Sequence, residues 1–303
     1  MHDNLTQQSL ALAQEILQDR KRQRRFSLLS KLFWLILIGV VVVSLSNQGE
    51  ETGGQPHIAV VSLIGPVFSD TPAGSKSVVE QLTSAFKNPQ ANIILVEANS
   101  PGGAPAQASI INDAIIRLKT QYKKPIYTVV SDLCASACYY ALANTDRIYV
   151  NNVSLVGSIG VRLESYDIQQ LAEKIGVKQR LLTAGEHKAF LNPFQPVEPA
   201  AKKHLQQTIN ETHQAFIDVV KQGRGDRLSD QKNLFSGLLW SGTQSIKIGL
   251  SDELSDLHTL SQQEFKLPLR YYAPQAHWLE KLTTLSIESD ALLPSTLAPF
   301  LMR

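Results

Sequence analysis

The stretch Ser131-Asp-Leu-Cys-Ala-Ser-Ala-Cys-Tyr-Tyr-Ala-Leu-Ala143 follows a β-type run, Pro125-Ile-Tyr-Thr-Val-Val130. Its Ala-, Tyr- and Leu-rich second half predicts a helix that begins at Ser136. A serine between a strand and a helix, flanked by small residues, can hold its hydroxyl clear of the backbone. The N–H of Ala137 can then help to bind an oxyanion. A plain helix cap has the same pattern, so this stretch alone leaves both interpretations open.

Strand-like and helix-like segments alternate on both sides of this turn. The apolar, β-branched runs that predict strands lie at 58–64, 93–96, 126–130, 147–150, 153–156 and 179–182. The segments with helical patterns lie at 77–86, 106–118, 136–143, 168–174 and 198–222. This alternation predicts an α/β domain with mainly parallel strands.

The N-terminal part of the chain has a different composition. Residues 1–46 carry six Lys or Arg against three Asp or Glu, and five of the positive charges lie in Arg20–Arg25. Residues 26–46 are mostly apolar, and as a helix they would span about 31 Å, one hydrocarbon thickness. We therefore expect a single transmembrane helix with the basic cluster in the cytoplasm. A cleavable signal peptide is the alternative, although no clear cleavage site follows.

The predicted organisation has five parts. A basic amphipathic segment (1–25), the transmembrane helix (26–46) and a polar linker (47–56) precede a globular domain (57–258) and a C-terminal extension (259–303). After residue 46 the chain has 23 basic and 24 acidic residues, so the folded part lacks the basic surface that a nucleic-acid partner would require.

A second motif, Asn99-Ser-Pro-Gly-Gly103, ends a buried strand just before a predicted helix. Its glycines leave backbone N–H groups unobstructed, so a substrate carbonyl or an oxyanion could approach closely. An ordinary strand-to-helix turn is the alternative interpretation. The sequence does not choose between Gly102 and Gly103 as the donor.

A nucleophilic serine needs a base. None of the histidines lies in a motif that suits a Ser-His-Asp triad; they are His2, His57, His187, His204, His213, His258 and His277. The two cysteines, Cys134 and Cys138, match no metal pattern. In an extracytoplasmic domain these two cysteines could oxidise to a local disulfide. A spacing of four residues at a helix start is awkward for one, so two small apolar side chains in the core are the favoured interpretation.

Four motifs in order resemble the signal peptide peptidase A (protease IV) family of serine peptidases, within the Clp protease/crotonase superfamily. Besides the two above, they are Gly157-Ser-Ile-Gly-Val161 and Ala184-Gly-Glu-His-Lys-Ala-Phe190. The resemblance covers roughly residues 58–256, where Gly249-Leu-Ser-Asp252 is similar to the segment that closes the family's domain. It implies an α/β fold of repeated ββα units.

The resemblance also implies roles for single residues. Ser136 would be the nucleophile and Lys188 the general base, with Ser158 orienting the lysine. Gly102 or Gly103 and Ala137 would form the oxyanion hole. A lysine base must be desolvated to lower its pKa toward neutrality, and apolar residues follow Lys188 in the sequence. No metal or other cofactor is implied.

In family members with one such domain per chain, the serine and the lysine of a site come from neighbouring subunits. The resemblance therefore implies a homo-oligomer in which Ser136 and Lys188 of one chain lie beyond hydrogen-bond reach. It further implies a bacterial inner-membrane serine endopeptidase, with its domain outside the cytoplasm, that cleaves hydrophobic extended peptides such as remnant signal peptides. The alternatives are a crotonase-like acyl-CoA enzyme and a catalytically silent membrane scaffold of this fold.

The chain departs from the family pattern at two places. Ser136-Ala-Cys-Tyr139 stands where Ser-Gly-Gly-Tyr is common, and Gly185-Glu-His-Lys188 keeps only the second lysine of Gly-Lys-Tyr-Lys. Ala and Cys are small, so we expect the turn at Ser136 to form. The loss of the first lysine favours Lys188 as the base.

Overall fold

The computed structural model describes residues 30–40 and 54–272, in two compact units that divide after Gln55. In the first unit, residues 30–40 form a helix with exposed apolar side chains. Within the described residues, no helix is both long enough and apolar enough to cross a bilayer. The predicted span 26–46 extends past this helix at both ends. The predicted segment 1–25 lies outside the described residues.

The second unit is organised around a sheet that has eight strands within the described part of the chain. The strands are β1 (His57–Ile64), β2 (Ala91–Ser100), β3 (Ile126–Ala135), β4 (Arg147–Val150), β5 (Leu155–Gly157), β6 (Leu239–Ser241), β7 (Glu253–Leu254) and β8 (Leu269–Tyr271). Their order is β6-β5-β3-β2-β1-β8, with β4 beside β3 and β7 beside β4. Every pair is parallel except β5 with β6, which confirms the predicted mainly parallel sheet.

Helices connect the strands. They are α1 (Ser75–Lys87), α2 (Pro105–Tyr122), α3 (Ala137–Leu142), α4 (Gln169–Lys174), α5 (Pro199–Arg224), α6 (Gly242–Lys247) and α7 (Leu257–Thr259), with a 3-10 turn at Gly225–Arg227 and a π-helical turn at Leu260–Phe265. Proline begins both α2 and α5, where its fixed φ and missing N–H suit the first helical turn.

Both faces of the central strands are covered. In β1, Val61 and Leu63 belong to the large core that also contains buried residues of α1 and α2. Ile58 and Val60, on the opposite face, belong to a smaller core that includes Leu260 of the π-helical turn. A parallel sheet that is buried on both faces requires nearly continuous apolar strands, which is the pattern of the sequence.

Strand β3 delivers the chain to the predicted nucleophile. Its first half pairs with β4, and its last three residues pair with β5. Between these halves the register against β2 shifts, since Ala98 pairs with Val130 but Ser100 pairs with Cys134. The extra residues form a bulge, a feature that bends a strand and is common beside active sites. The strand thus continues past its predicted end at Val130 and stops directly before Ser136.

Two sequence-based expectations need correction here. The segment 179–182, which was predicted as a strand, is irregular in the structure. It lies in residues 161–198, here called the exposed arm, in which Ala172 is the only buried residue among those described. An apolar run becomes a strand only beside another strand, and none pairs with this one. The sheet also continues past the predicted boundary at 258, because β8 pairs with β1.

Candidate active site

Ser136 forms a sharp elbow between β3 and α3. Its backbone has φ 53° and ψ −121°, a conformation that costs a non-glycine residue about 1–3 kcal/mol. The Ser136 N–H donates to the carbonyl of Gly157 at 2.8 Å, and its carbonyl accepts the N–H of Tyr140 at 3.0 Å. The side chain is partly exposed, and its hydroxyl has no hydrogen-bond partner among the described residues. The predicted strand–serine–helix turn is confirmed.

The loop that contains Gly102 and Gly103 packs against this elbow. Gly102 has φ 102°, and a Cβ atom there would lie 2.8 Å from the Cβ of Ser136. A Cβ on Gly103 would collide with the backbone of Val67. Both positions therefore require glycine because backbone passes directly in front of them. The fold brings the predicted glycine loop and the predicted nucleophile into contact.

The hydrogen bonds of the loop distinguish the two glycines. The Gly102 N–H donates to the Ser100 hydroxyl at 3.2 Å, and the Gly102 carbonyl accepts the N–H of Val67 at 2.9 Å. Within the described residues, the N–H groups of Gly103 and of Ala137 have no acceptor. Gly103, rather than Gly102, thus offers a free donor beside the elbow, as Ala137 does at the start of α3. Two such donors are what an oxyanion requires.

Ser158 lies on the other side of the elbow. Gly157 and Ser158 both have positive φ, 110° and 50°. The Ser158 N–H donates to the Leu238 carbonyl at 2.8 Å, while the Gly157 carbonyl holds Ser136. A Cβ on Gly157 would lie 3.0 Å from Cδ1 of Trp240. This packing fixes the backbone of Ser158 next to Ser136, and the partly exposed Ser158 hydroxyl has no partner in the described part of the chain.

Lys188 is far less constrained. It lies on the exposed arm in a turn closed by a hydrogen bond from its N–H to the Gly185 carbonyl at 3.2 Å. Its side chain is exposed, with no ion pair or hydrogen bond to any described residue. No hydrogen bond joins Ser136 and Lys188 within the single chain. The burial expected of a lysine base is therefore absent in one subunit.

The histidines of the described residues do not replace the lysine. His213 contacts the carbonyl of Ile159 at 3.2 Å, and His187 lies 3.3 Å from Glu198. His57 lies in β1 and contacts the hydroxyl of Tyr272 at 2.9 Å. None of the described histidines forms a hydrogen bond with Ser136.

The expectation for the cysteines is wrong, because Cys134 and Cys138 form a disulfide with a Cα–Cα distance of 5.2 Å. A spacing of four residues is awkward for a disulfide only where both cysteines lie at a helix start. In the structure, Cys134 is the second-last residue of β3 and Cys138 lies in α3, so the elbow folds the chain back between them. This separation falls within the range that a disulfide spans.

A buried polar network supports the far side of α3. The hydroxyl of Tyr139 donates to the Leu250 carbonyl at 2.7 Å, and burial raises the pKa of Tyr139 well above its usual value. Nearby, Arg224 holds both carboxylate oxygens of Asp252 at 2.8 Å. Burial alone would raise the pKa of Asp252, but the hydrogen bonds and charge of Arg224 keep that pKa below its ordinary value. The sequence motif 249–252 therefore ends at Asp252. The ion pair of Asp252 with Arg224 is here called the clamp behind the elbow.

The part of the chain that contains these residues is similar to known peptidases. The model of peptidase family S49 matches residues 119–267, a range that includes Ser136, Ser158 and Lys188. A protein named Na(+)/H(+) antiporter NhaA from Brucella abortus (strain 2308) is 36% identical over 73% of this chain and 30% of its own length.

Two further relatives are named as proteases. The capsid assembly protease C of Escherichia phage lambda is 30% identical over 65% of this chain and 46% of its own length. The chloroplastic serine protease SPPA of Arabidopsis thaliana is 25% identical over 72% of this chain and 34% of its own length. The chain thus spans less than half the length of each of these three relatives.

Proposed function

We propose that the chain is a member of peptidase family S49, whose model matches residues 119–267, and that it is a serine endopeptidase in which Ser136 is the nucleophile and Lys188 the general base. The observation that carries this proposal is the elbow at Ser136, with the free N–H groups of Gly103 and Ala137 beside it. A hydroxyl held at a strained turn next to two unused donors suits acyl transfer. We further propose the Clp protease/crotonase-like arrangement of ββα units for its fold.

The reaction follows from these groups. The Ser136 Oγ attacks the peptide carbonyl while its proton passes to the uncharged amine of Lys188. The oxyanion that forms accepts hydrogen bonds from Gly103 and Ala137. Lys188 then gives its proton to the leaving amine, and a water molecule hydrolyses the acyl-serine by the same route. Ser158 would orient the lysine amine through its hydroxyl.

The dyad is proposed to assemble between subunits. Lys188 is exposed and without a partner within the described chain, and the surrounding arm, residues 161–198, leaves many apolar side chains in solvent; among the most exposed are Leu182, Tyr166 and Ile175. A neighbouring copy could cover this arm and bring Lys188 to its own Ser136. Burial between subunits would also desolvate the lysine, which the single chain does not do. The active form would then be a homo-oligomer.

The substrates proposed are extended hydrophobic peptides, such as remnant signal peptides. Apolar side chains flank the elbow on two sides and support this choice. Phe68 follows Val67, which pairs with the Gly103 loop, and Leu238 lies beside Ser158. Each of these two side chains is 47% exposed, so each is free to contact a passing peptide.

We propose that the domain lies outside the cytoplasm of a bacterium and is tethered to the inner membrane through residues 26–46. The basic cluster Arg20–Arg25 supports a cytoplasmic N-terminus. The disulfide supports an oxidising compartment. Protease added to intact spheroplasts should digest the globular domain and spare the first 25 residues. Digestion of those residues alone would mean the opposite orientation.

A fluorophosphonate probe tests the proposed activity. We expect it to label the wild-type protein at Ser136 and to leave Ser136→Ala unlabelled, and the wild type alone should hydrolyse a hydrophobic peptide. Labelling that survives Ser136→Ala would reject this serine as the nucleophile. A wild-type protein that neither reacts with the probe nor cleaves peptides would favour the catalytically silent scaffold.

A further inference from the structure

We propose that the Cys134–Cys138 disulfide is a covalent brace that holds Ser136 in its reactive conformation, so that catalysis depends on the oxidation state of these two cysteines. This inference rests on the proposed function, since it concerns the same nucleophile.

The brace closes around the nucleophile. Cys134 lies two residues before Ser136 at the end of β3, and Cys138 lies two residues after it in the first turn of α3. Both side chains belong to the large core and are at most 1% exposed. The bond therefore ties the outgoing helix to the incoming strand from beneath the elbow, while the Ser136 side chain stays partly exposed above it.

The elbow needs such support. Ser136 has the positive φ of 53° that L-residues rarely adopt, and it caps a helix of only six residues without a side-chain hydrogen bond of its own. Two hydrogen bonds hold its backbone, one to Gly157 and one from Tyr140. The N–H of Ala137 has no acceptor among the described residues, as an oxyanion donor requires, so that group adds nothing to the stability of the turn. The disulfide contributes the constraint that these groups do not.

Reduction would remove the brace without changing any other residue. A phosphine or a dithiol supplies two electrons, the Sγ–Sγ bond breaks, and each cysteine takes up one proton to become a thiol. A dithiol is oxidised to its own disulfide, and a phosphine to its phosphine oxide with an oxygen atom from water. The relaxed turn can then leave the positive-φ conformation, which moves the Ser136 hydroxyl and the Ala137 N–H away from a shared carbonyl.

Burial of both cysteine side chains affects how readily the disulfide can be reduced. Neither a protein reductant nor a small reagent reaches side chains that are at most 1% exposed while the elbow is closed, so reduction requires local opening of the elbow. The oxidation state is therefore expected to be set when the domain folds. The brace would then make catalysis conditional on folding in an oxidising compartment.

The test compares the oxidised wild type, the wild type reduced with a phosphine, and the variants Cys134→Ala, Cys138→Ala and Cys134→Ala/Cys138→Ala, all in the full-length protein. Alkylation and mass measurement count the free thiols in each sample. The readouts are the rate of fluorophosphonate labelling at Ser136 and the amide hydrogen exchange of residues 137–142, with β1 as an internal reference for the rest of the fold.

We expect reduction to slow labelling roughly 5- to 150-fold, the range that corresponds to the release of one strained residue. Exchange should accelerate in residues 137–142 and stay unchanged in β1. Each single variant should have the same labelling rate as the double variant, because either substitution breaks the same bond. If the substitutions acted only through packing, the effects of the two single variants would add in the double variant. Reoxidation should restore the wild type, and the double variant should not respond to the phosphine.

Other outcomes separate this inference from the proposed function. If the oxidised wild type is labelled and the fully reduced protein is labelled within twofold of the same rate, the brace is rejected and the peptidase stands. If the oxidised wild type is not labelled, the proposed function fails. In that case hydrogen exchange alone tests whether the disulfide braces the elbow. Unchanged protection of residues 137–142 after reduction would reject the brace.

Discussion

The elbow around Ser136 and the exposed arm that carries Lys188 are built in opposite ways. Ser136 is held by backbone hydrogen bonds, by the close approach of Gly102 and by a disulfide, on strands buried on both faces. Lys188 lies in an exposed turn, and its amine forms no hydrogen bond or ion pair with a described residue. The core thus holds the proposed nucleophile and the proposed oxyanion donors together within one chain, whereas the proposed base lies apart from them. This contrast supports the proposal that one chain supplies only part of a site.

The largest expected effect comes from removing either half. Ser136→Ala and Lys188→Ala should each lower peptide hydrolysis by at least about 10³-fold, because nucleophile and base act as one unit. Thermal unfolding should hardly change in Lys188→Ala, since its exposed amine has no partner in the described chain. Lys178→Ala, also exposed on the arm, is the matched control and should keep wild-type activity. Near-normal hydrolysis by Lys188→Ala would refute the dyad.

Mixing the two inactive variants tests whether the halves come from different chains. In a randomly mixed ring, one boundary in four pairs an intact serine with an intact lysine, so activity should recover to about a quarter of the wild type. Mixed oligomers are prepared by co-expression with two different tags and sequential purification. Absence of any recovery in such oligomers, or a monomer with full activity, would show that a single chain builds the whole site.

The contrast also explains which parts of the site could be predicted from the sequence. Ser136 and the Gly102 loop follow from local patterns, since a strand, small residues and a helix are adjacent in the chain. The sequence leaves the disulfide as the less favoured alternative because its geometry depends on the elbow rather than on the spacing of Cys134 and Cys138 alone. The irregular 179–182 segment was mistaken for a strand because apolar alternation does not reveal whether a neighbouring strand exists.

The choice between Gly102 and Gly103 illustrates the same limit. Both residues occur in one loop, and nothing in the sequence says which N–H faces an acceptor. The choice depends on Ser100, whose hydroxyl accepts the Gly102 N–H, and on Val67, which lies 36 residues before Gly103 in the sequence and pairs with it. Contacts between distant segments determine such details, and a motif does not contain them.

Gly102→Ala should produce a smaller but still large loss on the elbow side. The new Cβ would meet Ser136 and force it to move, and a displacement of about 1 Å at a reacting group costs on the order of 10²-fold in kcat. Gly225→Ala is the matched control, because Gly225 also has positive φ but no atom near the added Cβ. The control should lose stability and keep kcat. Equal losses of kcat in both variants would mean that backbone strain, rather than contact with Ser136, is responsible.

The last predicted effect concerns the free energy of unfolding. It compares the Arg224–Asp252 ion pair behind the elbow with an ion pair on the exposed arm. Arg224 is buried and holds Asp252 through two hydrogen bonds, whereas Arg162 on the arm pairs with Glu164 in solvent. Breaking a buried pair costs about 3–5 kcal/mol of unfolding free energy, against about 0–1 kcal/mol for an exposed one. We expect Arg224→Ala near the lower end, because Arg227 also contacts Asp252 at 3.2 Å.

The pH dependence of the free energy of unfolding then shows whether the Asp252 charge contributes to stability. Since the folded-state pKa of Asp252 is lowered, its contribution is present above the unfolded pKa of about 3.9 and is lost as pH falls through the folded value. The free energy of unfolding of Asp252→Asn, measured with denaturant, should therefore be lower than that of the wild type at neutral pH, and the two should converge as the pH falls through the lowered folded-state pKa. Arg162→Ala should run parallel to the wild type throughout. A constant difference between Asp252→Asn and wild type across this window would mean that the Asp252 charge does not stabilise the fold behind the elbow.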